Sequence, residues 1–367
     1  MFKRIAAIQI LANGAFLATY TYISIYADSA GLSKFQIAIM ASLYAGATFF
    51  SAYVFGRFAD RYGRRKVLLI GLDLLIVLVA LQALSFSLFS FLTFRFLAGV
   101  GFGMFPAALT AYAFEAKAKM GKFASFGSLG WGVALLLSGV VAEKFGVYSV
   151  FLFSAFMVAG ALFLGLTLKP IREVRIRSPV FPIKMIMKNG QVLLPLIVRH
   201  SSANAIWVLW PLFLRNVIGL DLWQIGLVLA VNAFTQFIFM FFIGDRLKPS
   251  TSIVLGLFFS AAAFISFTLV HSFPLFLLTQ VLLGISWSQL YVGSLRSMLN
   301  RNRERATAVG LLTSSLSLSA LIGPMISIAI VEFLPALSYE GPMYIAFAAS
   351  LLSMVIFLLQ TRKKNDI

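Results

Sequence analysis

The chain has no cysteine. Disulfides and thiolate metal sites are therefore excluded, and its two histidines, His200 and His271, stand too far apart for a local metal-ligand spacing. Charge is also scarce: 11% of the 367 residues are Asp, Glu, Lys or Arg, against about 25% in an ordinary soluble domain. Acid is scarcer than base, with 12 Asp and Glu to 30 Lys and Arg. The sequence holds no His/Glu cluster, no nucleophile elbow and no paired carboxylates. An enzyme is not expected, and neither a metal nor an organic cofactor is required.

Apolar length takes the place of charge. Hydrophobic residues make up 60% of the chain, and 38 residues are Phe. A hydrocarbon core about 30 Å thick takes roughly 20 apolar residues per helix. Twelve such spans are read at residues 5–27, 35–55, 67–86, 88–114, 122–143, 147–168, 189–215, 222–243, 251–270, 273–298, 305–332 and 342–361. All but five of the 30 Lys and Arg fall in or beside alternate connections and the two termini; Lys34, Lys144 and Arg215 lie on the other side, and Arg95 and Arg199 lie within spans. This asymmetry is the positive-inside pattern, and it predicts a multi-pass plasma-membrane protein with both termini cytoplasmic. The net charge of +18 is then an orientation signal that also favours anionic lipid, and nucleic acid is not expected as a partner. Met1-Phe2-Lys3-Arg4 opens an uncleaved first helix, because polar residues break the following run and no small-x-small cleavage site follows.

The one sizeable hydrophilic insert, Lys169–Lys188, is basic, carries Pro170, Pro179 and Pro182, and has six spans on either side. The expected division is residues 1–168 as one six-helix bundle, 169–188 as a cytoplasmic linker and 189–367 as a second bundle. An internal repeat supports it. Gly31-Leu32-Ser33-Lys34-Phe35-Gln36-Ile37 returns 188 positions later as Gly219-Leu220-Asp221-Leu222-Trp223-Gln224-Ile225, with four of seven residues identical. Ser33 with Gln36, and Asp221 with Gln224, have capping-box spacing, so the heptad opens spans 2 and 8. Leu97-Ala98-Gly99-Val100 likewise pairs span 4 with Leu282-Leu283-Gly284-Ile285 of span 10. Two halves in parallel repeat imply a pseudo-two-fold axis along the membrane normal and a solute site near the midplane.

The densest polar stretch lies between spans 2 and 3, in Gly56-Arg57-Phe58-Ala59-Asp60-Arg61-Tyr62-Gly63-Arg64-Arg65-Lys66. Gly56, Ala59, Asp60, Arg61, Gly63, Arg64 and Arg65 stand at the spacing of the major facilitator superfamily signature, with Phe58 in place of the usual Leu; Gly244-Asp245-Arg246 after span 8 looks like a worn copy. The chain resembles that superfamily over essentially its whole length. The resemblance implies an all-α membrane protein of twelve transmembrane helices in two pseudo-symmetric six-helix bundles. It also implies that Gly56, Asp60, Arg61, Gly63 and Arg64 form a gating cluster. Arg95 falls in a segment similar to the family's span 4 motif, whose arginine is associated with proton coupling. A structural partner for it would be Asp28 or Glu332.

In the family, helices 1, 4, 7 and 10 surround the solute cavity. Each of those spans here carries a stripe at i, i+4, i+7, i+11: Gln9, Asn13, Phe16 and Tyr20; Arg95, Gly99, Phe102 and Pro106; His200, Asn204, Trp207 and Pro211; Gln280, Gly284, Trp287 and Tyr291. Candidate substrate-binding residues are Asn13, Tyr20, Arg95, Phe102, His200, Asn204, Trp207, Gln280, Trp287 and Tyr291. Arg199, about 100° around the helix from His200, would face a neighbouring helix. No Asp or Glu stands near the middle of these four spans. Candidate coupling residues are Asp73, about two turns into span 3, with Arg95 and with His200, since an imidazole has an unperturbed pKa of about 6.5. Glu115 is the rare acid at the end of span 4. Drug exporters of the superfamily carry Gly-Pro in helix 5; span 5 here reads Ala134-Leu135 at that site, and Gly323-Pro324 occurs in span 11.

The expected function is secondary active transport of small organic molecules by alternating access, as proton-coupled efflux of amphipathic or drug-like compounds. The alternative is uptake or facilitated diffusion of a metabolite such as an organic anion. The expected partners are a small-molecule substrate, the lipid bilayer and protons, and the expected state is a monomer. An intramembrane enzyme and a fixed channel fit the halved, gated pattern less well.

Overall fold

The computed structural model describes residues 1–169, 182–220, 222–337 and 339–365. Among them are twelve α-helices and two short 3-10 turns, in the order expected. The helices are α1 (Phe2–Ser29), α2 (Lys34–Tyr62), α3 (Arg64–Ala80), α4 (Leu88–Glu115), α5 (Met120–Phe145), α6 (Ser149–Leu166), α7 (Ile183–Asn216), α8 (Leu222–Phe242), α9 (Pro249–Leu269), α10 (Phe273–Arg301), α11 (Arg305–Phe333) and α12 (Gly341–Asn365). Ten are long and apolar enough to cross a membrane, and the described part of α8, Leu227–Phe242, is a shorter apolar helix. The protein is all-α. A helix satisfies its own backbone hydrogen bonds, which is why apolar spans of this length take that form in lipid.

The helix ends show how the sequence sets the boundaries. Ser33 accepts from Gln36 N, and the Gln36 side chain accepts from Ser33 N, so the capping box that opens α2 forms as read. Gly31 and Gly219, the glycines of the repeated heptad, both turn with positive φ, 84° and 76°, a backbone conformation that residues with a side chain rarely adopt. Asp221, the matching cap of α8, lies outside the described residues. The charged stretch between spans 2 and 3 is mostly helix rather than loop. α2 runs on through Tyr62, and Gly63 alone breaks the path, at φ 106° and ψ 132°. Of the expected linker, residues 170–181 lie outside the described residues, and Ile183–Lys188 already belong to α7.

Two compact units are present. The first takes in Met1–Val180 and Leu299–Ser317, and so includes the opening turns of α11; the second takes in Phe181–Met298 and Leu318–Ile367. In the first, α4 packs on α2 and α3, α1 on α5 and α6, and α3 on α6. Small residues permit these approaches: a Cβ on Gly103 of α4 would lie 1.8 Å from Ser51 Oγ of α2, and one on Gly130 of α5 would lie 2.3 Å from Ile10 O of α1. In the second unit, α12 packs on α7 and α9. Its core is aromatic, with Trp210 and Phe213 of α7, Phe264 and Phe267 of α9 and Phe276 of α10 all buried.

The pairing of spans 4 and 10 recurs as a contact. Gly99 of α4 faces Tyr44 O of α2, and Gly284 of α10 faces Asn232 O of α8; a Cβ would lie 2.7 Å and 3.1 Å away, respectively. Tyr44 and Asn232 are 188 positions apart, the spacing of the repeated heptad. The same helix pair is thus built twice, around the same glycine.

Candidate functional site

Three groupings of polar side chains stand out: one at the α2–α3 turn, and one beside a buried arginine in each unit.

At the turn, Gly56 and Gly310 let α2 and the start of α11 meet backbone to backbone. A Cβ on Gly56 would lie 2.6 Å from Ala306 O, and one on Gly310 would lie 2.4 Å from Ala52 O. One turn beyond Gly56, the Asp60 carboxylate is 1% exposed. It accepts from Ala306 N at 3.2 Å, from Thr307 N at 2.7 Å and from the Thr307 hydroxyl at 2.7 Å. First-turn N–H groups have no acceptor within their own helix and sit at the positive end of its dipole, so a carboxylate satisfies both demands. Arg64 Nη2 donates to Asp60 at 3.0 Å, while Arg64 Nη1 donates to Glu115 at 2.8 Å. Glu115 also pairs with Arg305. Of the expected gating residues, Gly56, Asp60 and Arg64 come together, with Gly63 as the turn between them. Arg61 stands apart: it is exposed, and its guanidinium lies 5.2 Å from the Tyr62 ring. Arg305 and Thr307 gave no sequence signal beyond marking the start of span 11.

In the first unit, Arg95 sits two turns into α4, one turn from Gly99. The close approach at Gly99 puts the Tyr44 ring 3.9 Å from Arg95 Cζ, and Tyr20 of α1 lies at 5.5 Å. Tyr20 stacks on Phe16 at 5.9 Å, and Phe102 meets Phe16 edge-on at 5.4 Å. Arg95 is 1% exposed, and its Nη1 reaches Gln82 Oε1 at 3.4 Å. Among the described residues no carboxylate lies within ion-pair range of it. The Asp28 side chain is outside the described residues, and Glu332 is exposed. The α1 stripe divides. Phe16 and Tyr20 join the aromatic group, while Gln9 and Asn13 flank Gly127 of α5, and Asn13 Nδ2 donates to Gln9 O at 3.0 Å. Tyr44 was not expected, because it belongs to α2, a helix outside the four stripes.

In the second unit, Arg199 faces α9 and α10, as its angular offset from His200 implied. Its Nε donates to Ser260 at 2.8 Å and its Nη2 to Ser286 at 3.2 Å, beneath the rings of Phe264 and Trp287. His200 stacks on Trp287 at 4.9 Å, and Trp287 stacks on Tyr291 at 5.5 Å. His200 Nδ1 has no hydrogen-bond partner among the described residues. The stripes of α7 and α10 therefore meet at His200, Trp287 and Tyr291. Asn204 donates to His200 O and packs against Gly323 of α11. Trp207 turns to Trp210 and Phe264, and Gln280 is buried beside Thr279. The Pro211 side chain lies outside the described residues. Asp73 is exposed and makes no ion pair among the described residues.

Fold, signature and buried cations can be set beside known proteins. The sequence model of the Major Facilitator Superfamily matches the chain twice, over residues 5–198 and 192–366. The chain belongs to that superfamily. Membership makes it a membrane transporter of small molecules rather than an enzyme. The putative niacin/nicotinamide transporter NiaP of Bacillus subtilis (strain 168) is 36% identical over 124 residues, which cover 32% of this chain and 31% of that protein. The match thus spans about a third of the relative's length. The crystal structure of the human organic anion transporter MFSD10 (TETRAN) superposes with a TM-score of 0.78 over 97% of this chain and 98% of that one, at 14% identity. At that identity the likeness shows the superfamily fold alone.

Proposed function

We propose that this protein is a secondary transporter that carries a small organic anion by alternating access, and that the buried arginines, Arg95 in the first unit and Arg199 in the second, are each an anion-attracting group within their own unit. The observation that carries the reading is a pair of buried arginines, Arg95 at 1% and Arg199 at 2% exposure, neither within ion-pair range of a carboxylate among the described residues. An arginine within a span costs about 2.5–3.5 kcal/mol on insertion scales. A desolvated cation–π contact returns about 2 kcal/mol, so a net demand for negative charge remains. A carboxylate cargo meets it. A cationic drug does not: at an effective dielectric of about 20, a second positive charge 6 Å away costs about 3 kcal/mol. The Ala134-Leu135 departure from the exporter pattern weighs against drug efflux, and of the two compounds named for the relative, niacin and nicotinamide, the first is an aromatic carboxylic acid.

Moving a monoanion alone across the membrane potential costs about 2.3 kcal/mol per 100 mV when the field opposes it. One proton per anion makes the step electroneutral. We assign that proton to His200 in the anion-bound state, where the anion's charge offsets the repulsion that neighbouring Arg199 exerts on an imidazolium, so that proton and anion each strengthen the other's binding. Opening and closing of the α2–α11 contact at Asp60 supplies the conformational step. The test is transport into proteoliposomes under an imposed proton gradient, with labelled nicotinate and benzoate compared with a lipophilic cation. Gradient-driven movement of the acids, abolished by a protonophore, is the expected result. Gradient-driven movement of the cation without the acids overturns the reading in favour of drug efflux.

A further inference from the structure

We infer that Gln82 and Arg95 together form a carboxylate-binding subsite in the first unit. Gln82 sits in the 3-10 turn Leu81–Leu84 that closes α3 and is 0% exposed. Its amide has only one stable orientation beside a guanidinium: the oxygen turns to Arg95 Nη1, and the nitrogen becomes a donor pointing elsewhere. That nitrogen, Nε2, has no partner among the described residues, and neither does Arg95 Nε. Two buried donors, one of them on a cation and both on side chains joined by the Nη1–Oε1 contact, therefore lack an acceptor among the described residues, and the Tyr44 hydroxyl of the ring on that guanidinium is likewise unpaired there. Buried polar groups are paired almost without exception. A guanidinium and a primary amide sharing one unmet demand call for an acceptor with two oxygens, and a carboxylate has that geometry and the opposing charge.

The surroundings narrow the ligand further. Tyr44 covers one face of the guanidinium at 3.9 Å, which leaves its in-plane edge for hydrogen bonding. Phe16, Tyr20, Tyr44 and Phe102 form a continuous aromatic group beside it, and Tyr20 is 46% exposed, so the group opens on that side. Flat rings stack on such a surface. The ligand class is an aromatic or heteroaromatic monocarboxylate. The corresponding carboxamide binds more weakly, because it is uncharged and its NH₂ cannot accept from either donor.

The subsite rests on the organic-anion reading, and the experiment separates the two. Affinities of benzoate and of benzamide are measured by calorimetry on the purified full chain in lipid nanodiscs, together with the melting temperature of each variant without ligand. The unaltered protein binds benzoate at least tenfold tighter than benzamide. Gln82→Leu weakens benzoate roughly ten- to hundredfold, the value of a hydrogen bond to a charged group, and leaves benzamide unchanged. Gln82→Glu, whose own carboxylate takes the free Arg95 donors, abolishes benzoate binding without lowering the melting temperature. If the unaltered protein binds no carboxylate, the organic-anion reading fails and the subsite with it. If it binds benzoate and both variants bind it equally well, that reading stands, and the subsite is overturned in favour of buried water on the two donors.

Discussion

Asp60→Asn is the sharpest probe of the gate, because it alters charge and one acceptor while keeping shape. Each Asp60 oxygen has two donors: Ala306 N and Arg64 Nη2 on Oδ1, and Thr307 N and the Thr307 hydroxyl on Oδ2. An amide nitrogen placed at either oxygen strands both donors there. Removing one partner of a buried ion pair costs about 3–5 kcal/mol. Arg64 keeps Glu115 at 2.8 Å, which argues for the lower end, about 3 kcal/mol. A loss of that size shifts the equilibrium of the α2–α11 contact roughly a hundredfold toward the open form. The native chain has no cysteine, so one introduced thiol reports the contact without background. Ser314, which donates to Phe49 O of α2 at 2.6 Å, is the position. In a Ser314→Cys background, Asp60→Asn raises the rate of maleimide labelling by roughly that factor and cuts anion transport, while insertion and expression stay normal. Labelling within twofold of the parent, together with full transport, refutes the gate.

Three further outcomes follow from other contacts. Gly310→Val drives a side chain into Ala52 O, so it opens the same contact sterically, and labelling at Ser314→Cys rises as in Asp60→Asn, whereas Arg61→Gln, at an exposed position, changes neither labelling nor transport by more than about twofold. His200→Gln keeps the ring-sized polar contact on Trp287 but cannot bind a proton, so it retains anion exchange and loses acceleration by a proton gradient; unchanged gradient dependence removes His200 from coupling. Arg296 Nη1 donates to Gly244 O at 2.9 Å and to Leu247 O at 2.7 Å. Arg296→Met therefore lowers the melting temperature, by the loss of about 2 kcal/mol or more in charge-assisted hydrogen bonds, and leaves Ser314→Cys labelling at the parent rate.

The sequence made the helices legible because their signals are local. Apolar length, the capping box at Ser33 and Gln36, and Gly63 each act within a few residues, and the observed helices follow them. The span between 2 and 3 was misjudged in extent, since Arg, Ala and Asp continue a helix wherever a charged face can reach water or a partner. The sites were legible only where their chemistry was concentrated. Asp60 stood out as an acid among cations, whereas its acceptor role depends on Ala306 and Thr307, 246 and 247 positions away. Arg95 stood out as a charge in an apolar span, but Gln82 and Tyr44 did not. Gln82 becomes buried only because the end of α3 tightens into a 3-10 turn, and Tyr44 only because Gly99 draws α2 in. The stripes divide for a related reason. A line of residues along one helix face meets different neighbours at different heights, so Gln9 and Asn13 reach α5 while Tyr20 reaches Arg95.

The two repeats have kept the same helix packing around one glycine. Gly99 against Tyr44 and Gly284 against Asn232 are the same contact made twice. At the turns that follow α2 and α8, two different contacts are described. In the first, a carboxylate accepts from N–H groups at the start of α11, a helix that enters the cluster only with its opening turns. In the second, an arginine of α10 donates to loop carbonyls within its own unit. A bond to a helix terminus can be exchanged for water at modest cost, since those N–H groups have no acceptor within their own helix in either state. On the alternating-access reading proposed above, the Asp60 contact is therefore the one suited to release.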